Sequence, residues 1–440
     1  MKLAEKKKSK KCFKIVSTAT LAVFLLFGNL KILFAEKCKF KKEESGWKIY
    51  VDEKPFQLKG VGCGYAERNG VDYFKLAKEL GANCVRTWGI NQGTKEYFKR
   101  AEENDLYVDT GLWVYWCYRT SGGKKFSYIN NKEGVRKLKE KLLSYVRENR
   151  KNRSLIIWNL GNEAIKFAKE EKEKVAVCRF INDVAGEIKK IDPDHPVIYT
   201  ASGAKEFYYI KKYLNNIDGV GINVYGSILI VDEEWRKYDF DIPYFITELG
   251  PKGPWDCKKD MFGLSIDYPD YEKAFFYQVL LEEYEKVKSR CLGVFVFYLG
   301  DTTQESLTWW NLTIGNYKRE SFYVVKKFFR NQSPSNYPPY FTKLELDKRI
   351  CKKGEKITAN VSSWDRDKDN LYYDLKISTA KENVLVHDVN REINVDFKVK
   401  SKSKIIFNAP GIKGVYRVHI FVYDGKGNVA TRAVSFKVEE

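Results

Sequence analysis

The sequence predicts an α/β fold, a (β/α)8 TIM barrel, followed by an all-β sandwich domain. Two observations carry this. From residue 58 to 301, short apolar runs alternate with amphipathic stretches rich in Lys and Glu, whereas beyond residue 340 the pattern changes to the alternation of half-buried strands. The first region also contains eight run-and-helix units, which fit the roughly 250 residues of a closed eight-stranded barrel.

The elements follow in order. "WKIYVDEKPFQLKGV" (47–61) reads as a hairpin turning at "DEKP" and feeding the first barrel strand. The eight runs are "LKGVGCGY" (58–65), "CVRTWG" (84–89), "LYVDTGLWV" (106–114), "LIIWNLGNE" (155–163), "PVIYTAS" (196–202), "GVGINVY" (219–225), "YFITELG" (244–250) and "LGVFVFYLGD" (292–301). Between them, stretches such as "VDYFKLAKELGA" and "EGVRKLKEKLLSYVRENR" repeat apolar residues every three to four positions, the helical period. Near-continuous apolar strands separated by helices imply a parallel sheet covered on both faces. A doubly wound open sheet is the alternative, but "GVGCGY" leads into "AERNG" without the third glycine that opens a phosphate-binding helix. A polar, Pro-rich segment, "NQSPSNYPPY" (331–340), then separates a barrel over 43–332 from a sandwich over 341–440 carrying "KITANVS", "YYDLKIS" and "VYRVHIFVYD". Because the linker divides two periodicities, the two parts are expected to fold separately.

Residues 1–35 stand apart. "MKLAEKKKSKKCFK" is a basic n-region, "IVSTATLAVFLLFGNL" (15–30) is an apolar run of signal-peptide length, and Ala35 offers a small residue for cleavage. An uncleaved anchor is the other reading, although Lys31 interrupts the run. Either way the remainder is expected to be exported, secreted or associated with the cell envelope. The formal charge is +20, of which the leader supplies +7; the remaining +13 is dispersed among mixed Lys and Glu with no basic arm. This pattern argues against nucleic acid as a partner and leaves attraction to acidic cell-surface polymers open. Apolar residues at 44% and aromatics at 15% suffice for a large core. Nine cysteines become eight once Cys12 leaves with the leader, and spacing alone assigns no pairing. Cys63, Cys84 and Cys117 on or near apolar strands read as buried thiols. No CxxC or CxxH pattern occurs, and the three histidines are His195, His387 and His419. A Ser-His-Asp triad or a His-rich metal site in the barrel is therefore not expected, and no cofactor is called for.

In a parallel barrel the strand C-termini open onto one face, where catalytic residues gather. The fourth run ends in Asn162-Glu163 and the seventh in "ITELG" with Glu248, 85 positions later. Three intervening strand-helix units place the two glutamates on opposite sides of one mouth. Read alone, each is an ordinary strand-end or capping residue. As a facing pair they suit cleavage of a glycosidic bond, one carboxyl protonating the leaving oxygen while the other attacks the anomeric carbon.

"WNLGNE" and "FITELG" resemble the acid/base and nucleophile motifs of retaining glycoside hydrolases whose (β/α)8 barrels use Glu after strands four and seven. The likeness covers about residues 47–330 and is greatest to the barrel domain of the family 2 β-glycosidases. It implies that Glu163 is the acid/base, that Glu248 is the nucleophile, and that Asn162 bonds the sugar 2-hydroxyl. Arg86 in "VRTWG" matches the strand-two Arg beside the nucleophile, and Tyr225 in "GINVYG" resembles the strand-six Tyr that donates to it; a structural ion pair and a core Tyr are the other readings. "DPDHPVIYT" is similar to the family's entry to strand five, which makes His195 structural. Where the family ends strand eight in a Trp platform, this chain has Phe297 and Tyr298, with Tyr298 expected to bind substrate, and no β-sandwich domain is expected ahead of the barrel. Trp88, Trp113, Trp116, Trp255, Trp309 and Trp310 fall near loops on the catalytic side, where aromatic faces stack on sugars or fill the core. "SSWDRDKDNLYYDL" and "VYDGKGNVATRAVSFKV" make the last domain similar to polycystic-kidney-type and cadherin-like modules, which have an Ig-like fold. Asp365, Asp367 and Asp369 there read as a solvated turn rather than a calcium loop, which would need a Gly and a later Glu. The expected function is an exported retaining β-glycosidase acting on a β-linked oligo- or polysaccharide, with transglycosylation as a further outcome when a sugar replaces water. The alternatives are a non-catalytic glycan-binding or adhesive envelope protein on the same scaffold, and a structural membrane-surface protein.

Overall fold

Eight parallel strands close a barrel in the order in which they occur in the chain. They are β1 (Leu58–Gly62), β2 (Cys84–Arg86), β3 (Tyr107–Leu112), β4 (Leu155–Asn162), β5 (Val197–Ala201), β6 (Gly219–Val224), β7 (Tyr244–Leu249) and β8 (Cys291–Val296). The computed structural model describes residues 37–90, 94–117, 125–302, 306–380 and 391–440; the expected leader lies outside the described residues. Every residue of β4, β5, β6, β7 and β8 is buried, which is why these strands read as near-continuous apolar runs instead of alternating.

The helices that surround the strands are α1 (Tyr73–Leu80), α2 (Thr94–Glu103), α3 (Lys132–Asn149), α4 (Glu171–Ile191), α5 (Phe207–Tyr213), α6 (Ile228–Lys237), α7 (Asp270–Val287) and α8 (Glu320–Arg330). Local sequence sets their ends. Asp72 caps α1 by accepting from the backbone of Phe74 and Lys75, and Gly81 closes it in the left-handed region at φ 94°. Asn131 caps α3 through the amide of Gly134. Among the described residues no helix is long and apolar enough to cross a membrane.

The N-terminal end of the barrel is sealed. Strands over Cys38–Glu43, Gly46–Val51 and Lys54–Phe56 form an antiparallel sheet, with Asp52 and Glu53 both at positive φ in the second turn. The sequence pattern foretells the hairpin over 46–56 but not the strand before it. In "CKFKKE" only Cys38 and Phe40 are apolar, so little alternation is left to detect. Cys38, Ile49 and Val51 from this sheet pack with Leu58, Ile157, Ile198, Phe245 and Phe295 in one apolar cluster.

The last hundred residues form two sheets that share one core. The strands are β9 (Tyr340–Leu346), β10 (Ile350–Lys352), β11 (Lys356–Trp364), β12 (Tyr372–Thr379), β13 (Glu392–Ile393), β14 (Phe397–Ser401), β15 (Lys404–Asn408), β16 (Gly414–Tyr423) and β17 (Val429–Glu439). The sheet orders are β9-β11-β15-β14 and β10-β17-β16-β12-β13. Residues 36–440 nevertheless cluster as one compact unit. Buried polar groups join sandwich to barrel, including Asp270, Arg319 and Thr431, an interface that the linker composition does not foreshadow. All eight described cysteines are free thiols, and every one except the half-buried Cys117 is buried.

Candidate active site

In a regular strand, neighbouring side chains point to opposite faces, so Asn162 and Glu163 should not both face the barrel mouth. The backbone of β4 resolves this. Its register against β5 slips between Asn159 and Asn162, adding one residue to β4, and Gly161 takes φ 89° inside that bulge. Glu163 itself has φ 54°, and its amide donates to the Thr200 carbonyl at 2.8 Å. The two side chains then converge: the Asn223 amide nitrogen donates to Asn162 Oδ1 at 3.2 Å and to Glu163 Oε1 at 2.8 Å. Strand β7 uses the same device. Its register against β6 slips between Ile246 and Glu248, so Thr247 and Glu248 both reach inward: Thr247 Oγ1 donates to Asn223 Oδ1 at 3.1 Å.

Arg86, at the end of β2, ties these strands together. One terminal nitrogen donates to Glu248 Oε1 at 2.9 Å and to the Thr247 carbonyl at 3.0 Å, and the other donates to Asn162 Oδ1 at 2.8 Å. Behind it, Nε lies 3.6 Å from Asp109 of β3. Arg86 and Asp109 are fully buried, a costly placement that is sustained only because each has charged or polar partners. Burial pushes the Asp109 carboxyl up to about 6, against the opposing pull of Arg86 and the Asn159 amide.

Two further donors reach Glu248: the Trp88 indole at 2.7 Å on Oε1 and the Tyr225 hydroxyl at 2.6 Å on Oε2. Burial, and then the Glu248 carboxylate, push the Tyr225 hydroxyl well above its usual range, so it stays a donor. Glu163 is placed differently. Its side chain is 14% exposed, with Asn223 on one oxygen and Lys166 Nζ at 2.9 Å on the other. Trp116 lies alongside: its indole donates to the Asn162 carbonyl at 2.6 Å and its ring stacks on Phe167 at 3.9 Å.

The structure thus brings together Arg86, Trp88, Trp116, Asn162, Glu163, Tyr225 and Glu248 from the residues singled out in the sequence. Trp113 leans on Trp116 with ring centres 5.1 Å apart. Trp255, 60% exposed, stands edge-on to Tyr225 at 5.5 Å and is the most open aromatic face of this group. Tyr298 is placed differently from the substrate-facing position expected of it. It is buried behind Trp88, 5.7 Å away, with its hydroxyl toward Gly64. Phe297 packs between Trp88, Tyr225 and Trp310. Trp309 is interior. His195 is buried against Asp192 at 2.8 Å, far along the chain from either glutamate.

Sequence reasoning missed Asn223, Asp109 and Lys166. For Asn223 and Asp109 the signal was present, the one polar residue of β6 and the one charged residue of β3; nothing local marks Lys166. Away from the mouth, Asp365, Asp369 and Asp424 offer carboxylate oxygens all within 4.8 Å of one another, a grouping of the kind that holds a metal ion. Asp424 joins it from the far end of β16, and Asp367 instead accepts from the Tyr337 amide.

These observations define a (β/α)8 barrel with two glutamates held at the C-terminal mouth. No model of a known protein family matches the sequence, and no curated protein matches it. Solved structures do. A "FMN-binding beta-glucuronidase" from Facaelibacterium prausnitzii L2-6 is 14% identical at TM-score 0.50, over 92% of this chain and 59% of that one. A "beta-D-Glucuronidase" from Dictyoglomus thermophilum is 18% identical at TM-score 0.49, over 68% and 54%. A "glycosyl hydrolase family 2" member from Bacteroides cellulosilyticus is 13% identical at TM-score 0.47, over 92% and 65%. This chain therefore spans less than two thirds of the length of each, and at such identities the likeness establishes the fold alone.

Proposed function

We propose that this chain is a retaining β-glycosidase in which Glu248 is the nucleophile and Glu163 the acid/base. One observation carries the reading: two glutamates face one mouth, joined through Asn162, Asn223 and Arg86, and Glu248 is the more closely held, with three donors against two on Glu163. Glu248 is fixed by three donors on its two oxygens, as suits a group that must meet a carbon atom along one line. Glu163 sits nearer solvent, as suits a group that exchanges protons with a leaving group and then with water.

The chemistry follows from this placement. Glu248 attacks the anomeric carbon and the glycosidic C–O bond breaks, while Glu163 gives its proton to the departing oxygen. Glu163 then takes a proton from water, whose oxygen displaces Glu248 and restores both groups. Arg86 and Tyr225 hold Glu248 in line, Asn162 bonds the sugar 2-hydroxyl, and Trp255, Trp113 and Trp116 supply ring faces for sugar stacking. A second sugar in place of water would give transglycosylation. The basic and apolar leader supports export.

The test is a panel of aryl β-glycosides and β-linked oligosaccharides assayed with wild type, Glu163→Ala and Glu248→Ala. Turnover of at least one β-glycoside, lost in Glu248→Ala and dependent on leaving group in Glu163→Ala, is expected. Equal rates in all three proteins would refute the assignment.

A further inference from the structure

The cleft wall beside β7 and β8 is fastened from the neighbouring domain. Four buried charges lie where the loops after these strands meet the sandwich. Lys273 pairs with Asp267 at 2.5 Å, their side chains 3% and 4% exposed, and Arg319 forms a two-pronged pair with Asp270. A buried ion pair contributes little net stability compared with well-packed apolar groups, so a cluster of four argues for the fixing of a geometry.

That geometry is the loop after β8. Asp267 accepts from the hydroxyls of Ser306 and Thr308 at 3.2 and 3.0 Å, and Lys273 donates to the Thr308 carbonyl at 3.0 Å. Arg319 donates to the carbonyls of Thr308 and Asn311 at 2.7 and 2.6 Å. The held segment carries Trp309 and Trp310. Trp310 packs 5.6 Å from the Tyr225 ring, and Tyr225 in turn donates to Glu248.

The sandwich holds the same cluster from the other side. Thr431 of β17 donates to Asp270 through both its amide, at 3.1 Å, and its hydroxyl, at 3.0 Å, and that hydroxyl accepts from Arg319 at 2.9 Å. Arg417 of β16 is buried, donates to the Ser265 carbonyl in the loop after β7 at 2.8 Å, and lies 5.8 Å from the Trp309 ring centre.

We propose that the C-terminal domain is a working part of the cleft: Arg417 and Thr431 are positioning residues that hold the Trp309–Trp310 segment, and through it Tyr225 and Glu248, in register. The coupling to Glu248 rests on the glycosidase reading; the fastening of the segment does not.

The experiment uses the full chain with Arg417→Gln, Arg417→Lys and Thr431→Val. Hydrogen exchange is followed over residues 306–312, with melting temperature and with kcat and KM on an aryl glycoside turned over by wild type. Arg417→Gln is expected to speed exchange across 306–312 and to lower kcat about tenfold or more, in line with the cost of small misplacements at a reacting centre. KM should stay within about threefold and Arg417→Lys should recover most of kcat, a pattern that general destabilisation does not produce. If Arg417→Gln fails to fold, Thr431→Val, which keeps the volume and the backbone bond to Asp270, carries the same readouts. Unchanged exchange in the folded variants would overturn the fastening. Faster exchange with kcat within twofold of wild type would overturn its coupling to the nucleophile. A wild type inactive on every glycoside would instead refute the glycosidase reading, with exchange still deciding the fastening.

Discussion

At the N-terminal end of the barrel, Leu58, Ile157, Ile198, Phe245 and Phe295 pack with Cys38, Ile49 and Val51 beneath a sheet laid across the strands. Toward the other end the barrel strands carry Arg86, Asp109, Asn162, Asn223 and Glu248, each buried and each bonded to another of the set or to a neighbouring strand. The apolar end gains stability from burial at roughly 25 cal/mol per Å². The polar end bears the desolvation of charged groups, offset by their partners. If the polar end is the reactive one, as proposed, substitutions at the two ends should separate stability from turnover.

The largest effect is expected at Glu248. Glu248→Ala should remove turnover altogether, and azide should restore it with product of inverted anomeric configuration, because the small anion takes the place of the attacking carboxylate. Glu163→Ala should cost about 10²–10⁴-fold on substrates with poor leaving groups, the usual worth of general acid catalysis, and far less on activated aryl glycosides. Comparing the leaving-group dependence of kcat/KM between the two proteins checks this. At the sealed end, Phe245→Ala should remove about 3–5 kcal/mol of stability in urea denaturation. The kcat of the remaining folded protein should hardly change, and a lost kcat without lost stability would break the contrast between the ends.

The smallest expected effect is a pH dependence at the mouth. Asp109 is pushed up to about 6 by burial, above its ordinary 3.8, so the folded state binds that proton more tightly than the unfolded state. The stabilisation is full below about pH 4 and is lost as pH rises through about 6. Asp109→Asn should therefore compare less favourably with wild type at pH 4 than at pH 8. Glu206 is pushed up to about 7, also by burial, and titrates in the same direction, so the difference between variant and wild type is the quantity to plot.

All eight barrel strands were legible because buried parallel strands concentrate apolar residues into runs. Glu163, Glu248, Arg86, Asn162 and Tyr225 were legible because each ends such a run in a recognisable motif. The bulges that make these residues converge were not, since register is a property of two strands and neither sequence alone displays it. Trp88 illustrates another limit: its indole is spent on Glu248, a bond that composition does not distinguish from a sugar-stacking role. The Arg417 and Thr431 contacts join positions 152 and 161 residues apart in the chain, and such pairs leave no periodic trace. The Pro-rich linker marks where the periodicity changes but carries no record of the surface that the two parts share.

The central claim is that a glycosyl group passes through a covalent bond to Glu248. The most direct measurement incubates wild type with a 2-deoxy-2-fluoro β-glycoside bearing an activated leaving group, matched to the sugar found in the substrate panel, and locates the adduct by peptide mass spectrometry. The account predicts one sugar per chain on the peptide containing Glu248, with turnover lost in proportion to labelling and no such adduct in Glu248→Ala. An adduct on another carboxylate, or wild type that turns over the parent glycoside yet takes no label, would contradict it.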